Sequence, residues 1–130
     1  MSDARPLSAD PVLPGAPLQI EVSEHGSTVL IKVSGMAAVE VVGPFSRALQ
    51  EAAARRPRLL AVDLSGLSFI SSTGLGGIVA AHVTCRKNDT LLCLIKPKPF
   101  IREILDLTKL SSLFEICDSL AEAEQLAGAG

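Results

Sequence analysis

The chain has no tryptophan, no tyrosine and four phenylalanines among 130 residues. Single-stranded nucleic acids are held on aromatic stacking platforms, and duplexes by stripes of basic side chains. Here the 12 Lys and Arg residues are scattered and the formal net charge is −2, so direct nucleic-acid binding is not expected. Cysteine is scarce and odd in number: Cys85, Cys93 and Cys117, with no Cys-x-x-Cys pair. They read as small buried thiols in a reducing cytoplasmic compartment, and no metal site or cofactor is expected. The N-terminus lacks an apolar block. Met1 to Pro17 carries Pro6, Pro11, Pro14 and Pro17 and reads as a flexible leader, not a secretory signal. Leu64 to Cys85 lacks Asp, Glu, Lys and Arg, and about 20 residues suffice to span a bilayer. Its Ser, Thr and Gly residues break every sustained apolar segment, so no membrane span is expected.

What is abundant is aliphatic. Hydrophobic residues make up 48% of the chain, so a core must be built from Leu, Ile, Val and Ala, in one domain expected over residues 18–127. Leu18 to Val22 alternates as a half-buried strand does, His25-Gly26-Ser27 is a turn, and Thr28 to Val33 returns, which predicts an antiparallel hairpin. Ser34 to Gly43 reads as a connection. Gly43-Pro44 opens a helix with buried stripe Phe45, Ala48, Leu49, Ala52 and Ala53, closed by Arg55, Arg56 and Arg58. Leu59 to Val62 is a buried strand, followed by a turn at Ser65-Gly66 and a second helix. Thr90 to Ile95 is an apolar strand suited to cover on both faces. A third helix carries Phe100, Ile101, Ile104, Leu105 and Leu107. Leu113 to Cys117 is a short edge strand, Ser119-x-x-Glu122 fits a capping box on a last helix, and Ala127 to Gly130 is expected to fray. This order predicts an α/β fold: a small mixed β-sheet with about four helices packed against it.

The second helix begins in the hydroxyl cluster Ser71-Ser72-Thr73, good N-cap residues that can accept from the free amides of a first turn. Leu75, Ile78, Val79, His82 and Val83 share one face at spacings of three and four. Gly74, Gly76 and Gly77 crowd the first turns, where each costs roughly 0.8–1.0 kcal/mol against Ala. Either close packing or a bare surface offered to a partner must offset that cost.

An enzyme is not expected. A nucleophile elbow would read Gly-x-Ser-x-Gly, whereas this stretch reads Ile70-Ser71-Ser72-Thr73-Gly74. His82 lies about 15 Å further along the same helix at about 1.5 Å per residue, too far to take a proton from Ser72. No Gly-x-Gly-x-x-Gly or Gly-Lys-Ser/Thr phosphate loop is present, and Asp63 and Asp89 are isolated.

Asp63-Leu64-Ser65-Gly66-Leu67-Ser68-Phe69-Ile70-Ser71-Ser72-Thr73-Gly74-Leu75-Gly76 resembles the signature of STAS domains, specifically the stand-alone bacterial anti-sigma factor antagonists. Lys96 to Leu110 is similar to the family's stretch before its last helix. The resemblance implies that Ser72 is a phosphorylation site. It also implies that Ser71, Thr73, Gly74, Leu75, Gly76 and Gly77 surround it in the surface offered to an anti-sigma factor serine kinase, with a phosphatase restoring the unmodified form. On that reading phosphorylation regulates transcription by releasing the partner, and a weak homodimer is left open. Two positions depart from the family pattern: Ser71 stands where Asp is usual, and Gly35-Met36-Ala37-Ala38 where Gly-Glu-Leu-Asp is common. The alternative is a STAS scaffold, or an accessory binding subunit of a larger complex, that is not phosphorylated.

Overall fold

Strand, strand, helix and then alternating strands and helices follow one another as the periodicity predicts. The computed structural model describes residues 17–38 and 42–129; all of the expected leader but Pro17, and Gly130, lie outside the described residues. The elements are β1 (Gln19–His25), β2 (Thr28–Ala37), α1 (Val42–Ala54), β3 (Leu59–Ile70), α2 (Ser72–Lys87), β4 (Leu91–Ile95), α3 (Pro99–Leu107), a 3-10 turn (Leu110–Ser112), β5 (Glu115–Cys117) and α4 (Leu120–Ala129). They form one five-stranded sheet in the order β1-β2-β3-β4-β5. β1 is antiparallel to β2, and the other neighbours are parallel. No described helix is long and apolar enough to cross a membrane.

The apolar run at the start of β3 is explained by its place at the centre of the sheet, covered on both faces. Leu59, Leu60, Ala61 and Val62 are fully buried. Leu60, Val62 and Leu64 face a core shared with Phe45 and Leu49 of α1, Ile78 and Ala81 of α2, and Ile101 and Leu105 of α3. Leu59 and Ala61 join Cys93, Ile95, Cys117 and Ala123 in a second cluster under α4. Side chains of Leu or Ile size buried this way contribute about 1.5–3 kcal/mol each.

The hairpin turns at Gly26, whose φ of 64° suits the first central position of a two-residue turn. Beyond it the structure corrects the expected boundaries. β2 does not stop at Val33; it runs to Ala37, so the connection begins later than Ser34. β3 likewise continues through Ser65-Gly66, where a turn was expected. Register shifts between Lys32 and Ser34 and between Gly35 and Met36 let the ladder pass these residues. A Cβ at Gly66 would lie 2.8 Å from Cβ of Ser34, so glycine is what permits the strands to meet there. The turn-like chemistry is local: the Ser65 amide donates to Asp63 Oδ1 at 2.9 Å.

Two helix stripes also shift. In α2 the buried residues are Gly74, Ile78, Ala81 and Cys85, while Leu75, Val79 and His82 are half-buried and Val83 is exposed. α1 packs on the small-residue side of α2, which a reading based on large side chains passes over. In α3 only Ile101 and Leu105 are buried; Phe100 is exposed, and Leu107 is 76% exposed. The last helix is assigned as helical to Ala129.

Candidate docking site at the start of helix α2

β3 ends at Ile70 and α2 begins at Ser72, so a single residue turns the chain from sheet to helix. Ser71 makes that turn in an extended conformation, φ −78° and ψ 165°. Its amide donates to the Ala37 carbonyl at 2.9 Å, tying it to the end of β2. Its Oγ accepts from the Gly74 amide at 3.1 Å, and its carbonyl accepts the first helical bond, from Leu75, at 3.0 Å. Ser71 is thus the N-cap. A serine N-cap does the work an aspartate would do in the same place, without the charge.

Once the cap is placed, the neighbouring residues divide by role. Ser72 is the first residue of the helix and is exposed, and Thr73 beside it is exposed as well. Because Ser71 Oγ is directed to Gly74, the first-turn amides of Ser72 and Thr73 are the donors left over at the helix end. No acidic residue occupies the first turn, and Arg86 and Lys87 stand in the last, where they complement the dipole.

The glycines divide the same way. Gly74 is buried, and a Cβ there would lie 2.8 Å from Ile70 Cγ1 and 3.2 Å from Val42 Cγ2. At Gly77 a Cβ would lie 2.4 Å from Ser46 Oγ of α1. Both let α2 sit close against its neighbours. Gly76 is exposed, with nothing within 4 Å of a Cβ, so packing gives no reason for glycine there. It lies one turn beyond Ser72 on the same helix face, and both are exposed. Leu75 is half-buried and packs against the main core.

Neither histidine can serve Ser72 as a base. His82 lies further along α2 with its ring edge-on to Phe114, centroids 5.2 Å apart and planes at 84°. Both ring nitrogens are buried without a hydrogen-bond partner. Burial, with the Arg86 charge adding to it, pushes the His82 pKa down and keeps the imidazole neutral. His25 precedes the hairpin turn beside the start of β3, at the opposite end of that strand from Ser72; its Nε2 is 3.2 Å from Ser23 Oγ. The cysteines are buried, and loss of solvation raises the Cys85 thiol to about 11 and also pushes Cys93 and Cys117 upward, so all three stay protonated and unreactive. Among the described residues no cluster of His, Cys, Asp or Glu has the makings of a metal site.

Comparison with known proteins bears on most of the chain. The STAS domain family model matches residues 19–123. Among solved structures, an anti-sigma factor antagonist from Mycobacterium paratuberculosis superposes with a TM-score of 0.77 at 23% identity, over 85% of this chain and 94% of that one. The anti-sigma factor antagonist SpoIIAA in its unphosphorylated form gives 0.72 at 18% identity, over 88% and 98%. The Bacillus cell fate determinant SpoIIAA in its phosphorylated form gives 0.65 at 19% identity, over 84% and 97%. At these identities the likeness establishes a shared fold.

Proposed function

This chain belongs to the STAS domain family, and from that premise we propose that it is an anti-sigma factor antagonist switched by phosphorylation of Ser72. The unmodified form docks an anti-sigma factor serine kinase through Ser72, Thr73 and Gly76, with Leu75 at the margin and Ser71, Gly74 and Gly77 holding the helix tip in place. Docking displaces the sigma factor and so regulates transcription in the cytoplasm. The kinase transfers the γ-phosphoryl group of ATP to Ser72 Oγ; the hydroxyl proton leaves to the kinase's base, and ADP is released. A phosphatase reverses the modification with water.

The observation that carries this reading is the exposure of Ser72 as first residue of a helix whose cap is already made by its neighbour. A phosphate there meets unpaired amides and the positive end of the helix dipole, so the fold tolerates it. The same group brings about −1.5 to −2 charges to a face that is otherwise neutral and bare. A partner seated on that face would have to bury the new charge, and an uncompensated buried charge costs on the order of 3–5 kcal/mol. The modification therefore governs docking and leaves folding alone.

Two experiments test it. Mass spectrometry after incubation with ATP and the partner kinase should find phosphate on Ser72, and modification confined to other residues overturns the assignment. In a pull-down, Ser72→Ala should retain the partner while Ser72→Asp weakens it by about 100-fold, or roughly 3 kcal/mol. Two variants that both behave as wild type would favour the unphosphorylated scaffold.

A further inference from the structure

The carboxylates of this chain are unevenly placed. α1, α2 and α3 each follow one of the parallel strands, so all three begin at the same end of the sheet, the end that carries Ser72. The described stretches that build this end, residues 34–38, 42–50, 64–77 and 96–102, contain no Asp or Glu; Glu40 lies outside the described residues. None of the three helices has an acidic residue in its first turn, so no carboxylate there offsets the positive ends of their dipoles. Arg47, Lys96 and Lys98 stand exposed in these stretches, while Arg102 is engaged by Asp106. The carboxylates at this level belong to the other face: Asp63 lines a cleft there with Glu21 and Lys32, and Asp118 and Glu122 form the tip of α4. At the opposite end of the sheet the two signs are interleaved. Arg55 is paired with Glu24, and Arg56, Arg58, Arg86 and Lys87 share that end with Glu51, Asp89 and Glu124.

We propose that the partner kinase meets this end with an acidic surface, its carboxylates facing Arg47, Lys96 and Lys98 around the uncharged patch at Ser72. The proposal rests on the docking reading above and adds the chemistry of the partner. Complementary charge at the rim steers the encounter and fixes its orientation, while the neutral centre supplies the close contact. It also gives the phosphate a second way to act. On Ser72 it would stand opposite the partner's carboxylates, so like-charge repulsion adds to the cost of burying it. The departures from the family pattern act in the same direction, because Ser71, Met36 and Ala38 stand where acidic residues are usual and so leave this end free of them. A kinase whose docking face is basic would find here only cations and no carboxylate among the described residues, and is discriminated against by repulsion.

The test compares the two ends of the sheet, first without the kinase. Fluorescein-labelled polyglutamate and polylysine peptides are titrated into the full chain at low salt and followed by anisotropy. The chain is acidic overall, with a formal net charge of −2, so preference for polyglutamate can come only from an uneven charge distribution. Polyglutamate should bind more tightly than polylysine, and should shift the amide resonances of Ser72 to Gly76 and Lys96 to Phe100. Reversing Arg47, Lys96 and Lys98 together to Glu should weaken it at least ~10-fold, and reversing Arg56, Arg86 and Lys87 less than ~2-fold. All six positions are exposed, and thermal unfolding checks both triple variants; neutralising the first three to Gln provides a milder version of the same change. Binding of the partner kinase should follow the same order, with the loss mainly in the association rate and diminishing at high salt. Equal weakening by both triple variants, tighter binding of polylysine, or kinase binding untouched by the changes at Arg47, Lys96 and Lys98 overturns the proposal. Failure of the phosphorylation switch reads differently: Ser72 would stay unmodified by the kinase while polyglutamate still mapped to this end.

Discussion

Helices α2 and α4 both begin on a serine, and they treat the space beyond that serine in opposite ways. In α4, Ser119 Oγ accepts from the Glu122 amide at 3.1 Å, and Glu122 Oε1 reaches back to accept from the Asp118 amide at 2.8 Å. That tip is closed by its own carboxylate. In α2, Ser71 makes the corresponding bond to Gly74, but no acidic residue occupies the first turn. One helix end is completed within the chain; the other is left electrostatically open, beside a glycine that fills no contact. Capping alone gives a structural residue, whereas a cap followed by an exposed hydroxyl and an uncontacted glycine gives a surface.

The comparison can be broken most severely at Gly74. Gly74→Val should place methyl groups into Ile70 and Val42 and destabilise the fold by about 3 kcal/mol, measured by chemical denaturation. A change below about 0.5 kcal/mol would mean that the tip is looser than its contacts imply. Removing each cap in turn is the next test. Ser71→Ala and Ser119→Ala should each cost about 1 kcal/mol. Ser71→Asp should keep the cap and add a favourable charge at the helix end, stabilising by about 0.3–1 kcal/mol and making α2 resemble α4. If the proposed switch is right, that variant should also narrow the difference in partner binding between Ser72 and Ser72→Asp.

Gly76→Ala sharpens the contrast by reversing the sign. With open space around its Cβ it should stabilise α2 by up to about 1 kcal/mol, yet weaken partner docking in the same preparation. The smallest effect concerns pH. The His82 pKa is lowered by burial and by Arg86, so the unfolded chain binds its proton more readily than the folded one. Stability is full above the unfolded value of about 6.5 and falls as pH drops below it, until the lower folded value is passed. His82→Leu should flatten that acid limb, and an unchanged limb would assign the loss to other groups.

Much of this was legible before any coordinates. The α/β order follows from alternating and continuous apolar runs, and the capping box at Ser119 and Glu122 follows from its spacing. The hydroxyl cluster is visible in the sequence, although which of Ser71, Ser72 and Thr73 would cap is not. Backbone register decides that, through the Ser71 amide on the Ala37 carbonyl. The extension of β2 past Gly35 was hidden for a similar reason. Gly35 and Gly66 read as punctuation, and only the approach of Gly66 to Ser34 shows that Gly66 lets the two strands stay together. The α2 stripe departs from its expected face at Val83 because Gly74, Ala81 and Cys85 carry little hydrophobic weight of their own, while their small size is what lets α1 come close.

The strands lie across the sheet in the order in which they occur along the chain. A ribosome therefore delivers each one to a neighbour that has already emerged, and the sheet grows outward from the first hairpin without leaving a gap to be filled later. Only α4 arrives after every strand is out. Until Leu120–Ala129 folds onto the sheet, Ala61, Cys93 and Cys117 remain uncovered on the second face, so α4 is the piece that closes the greasy side of the molecule.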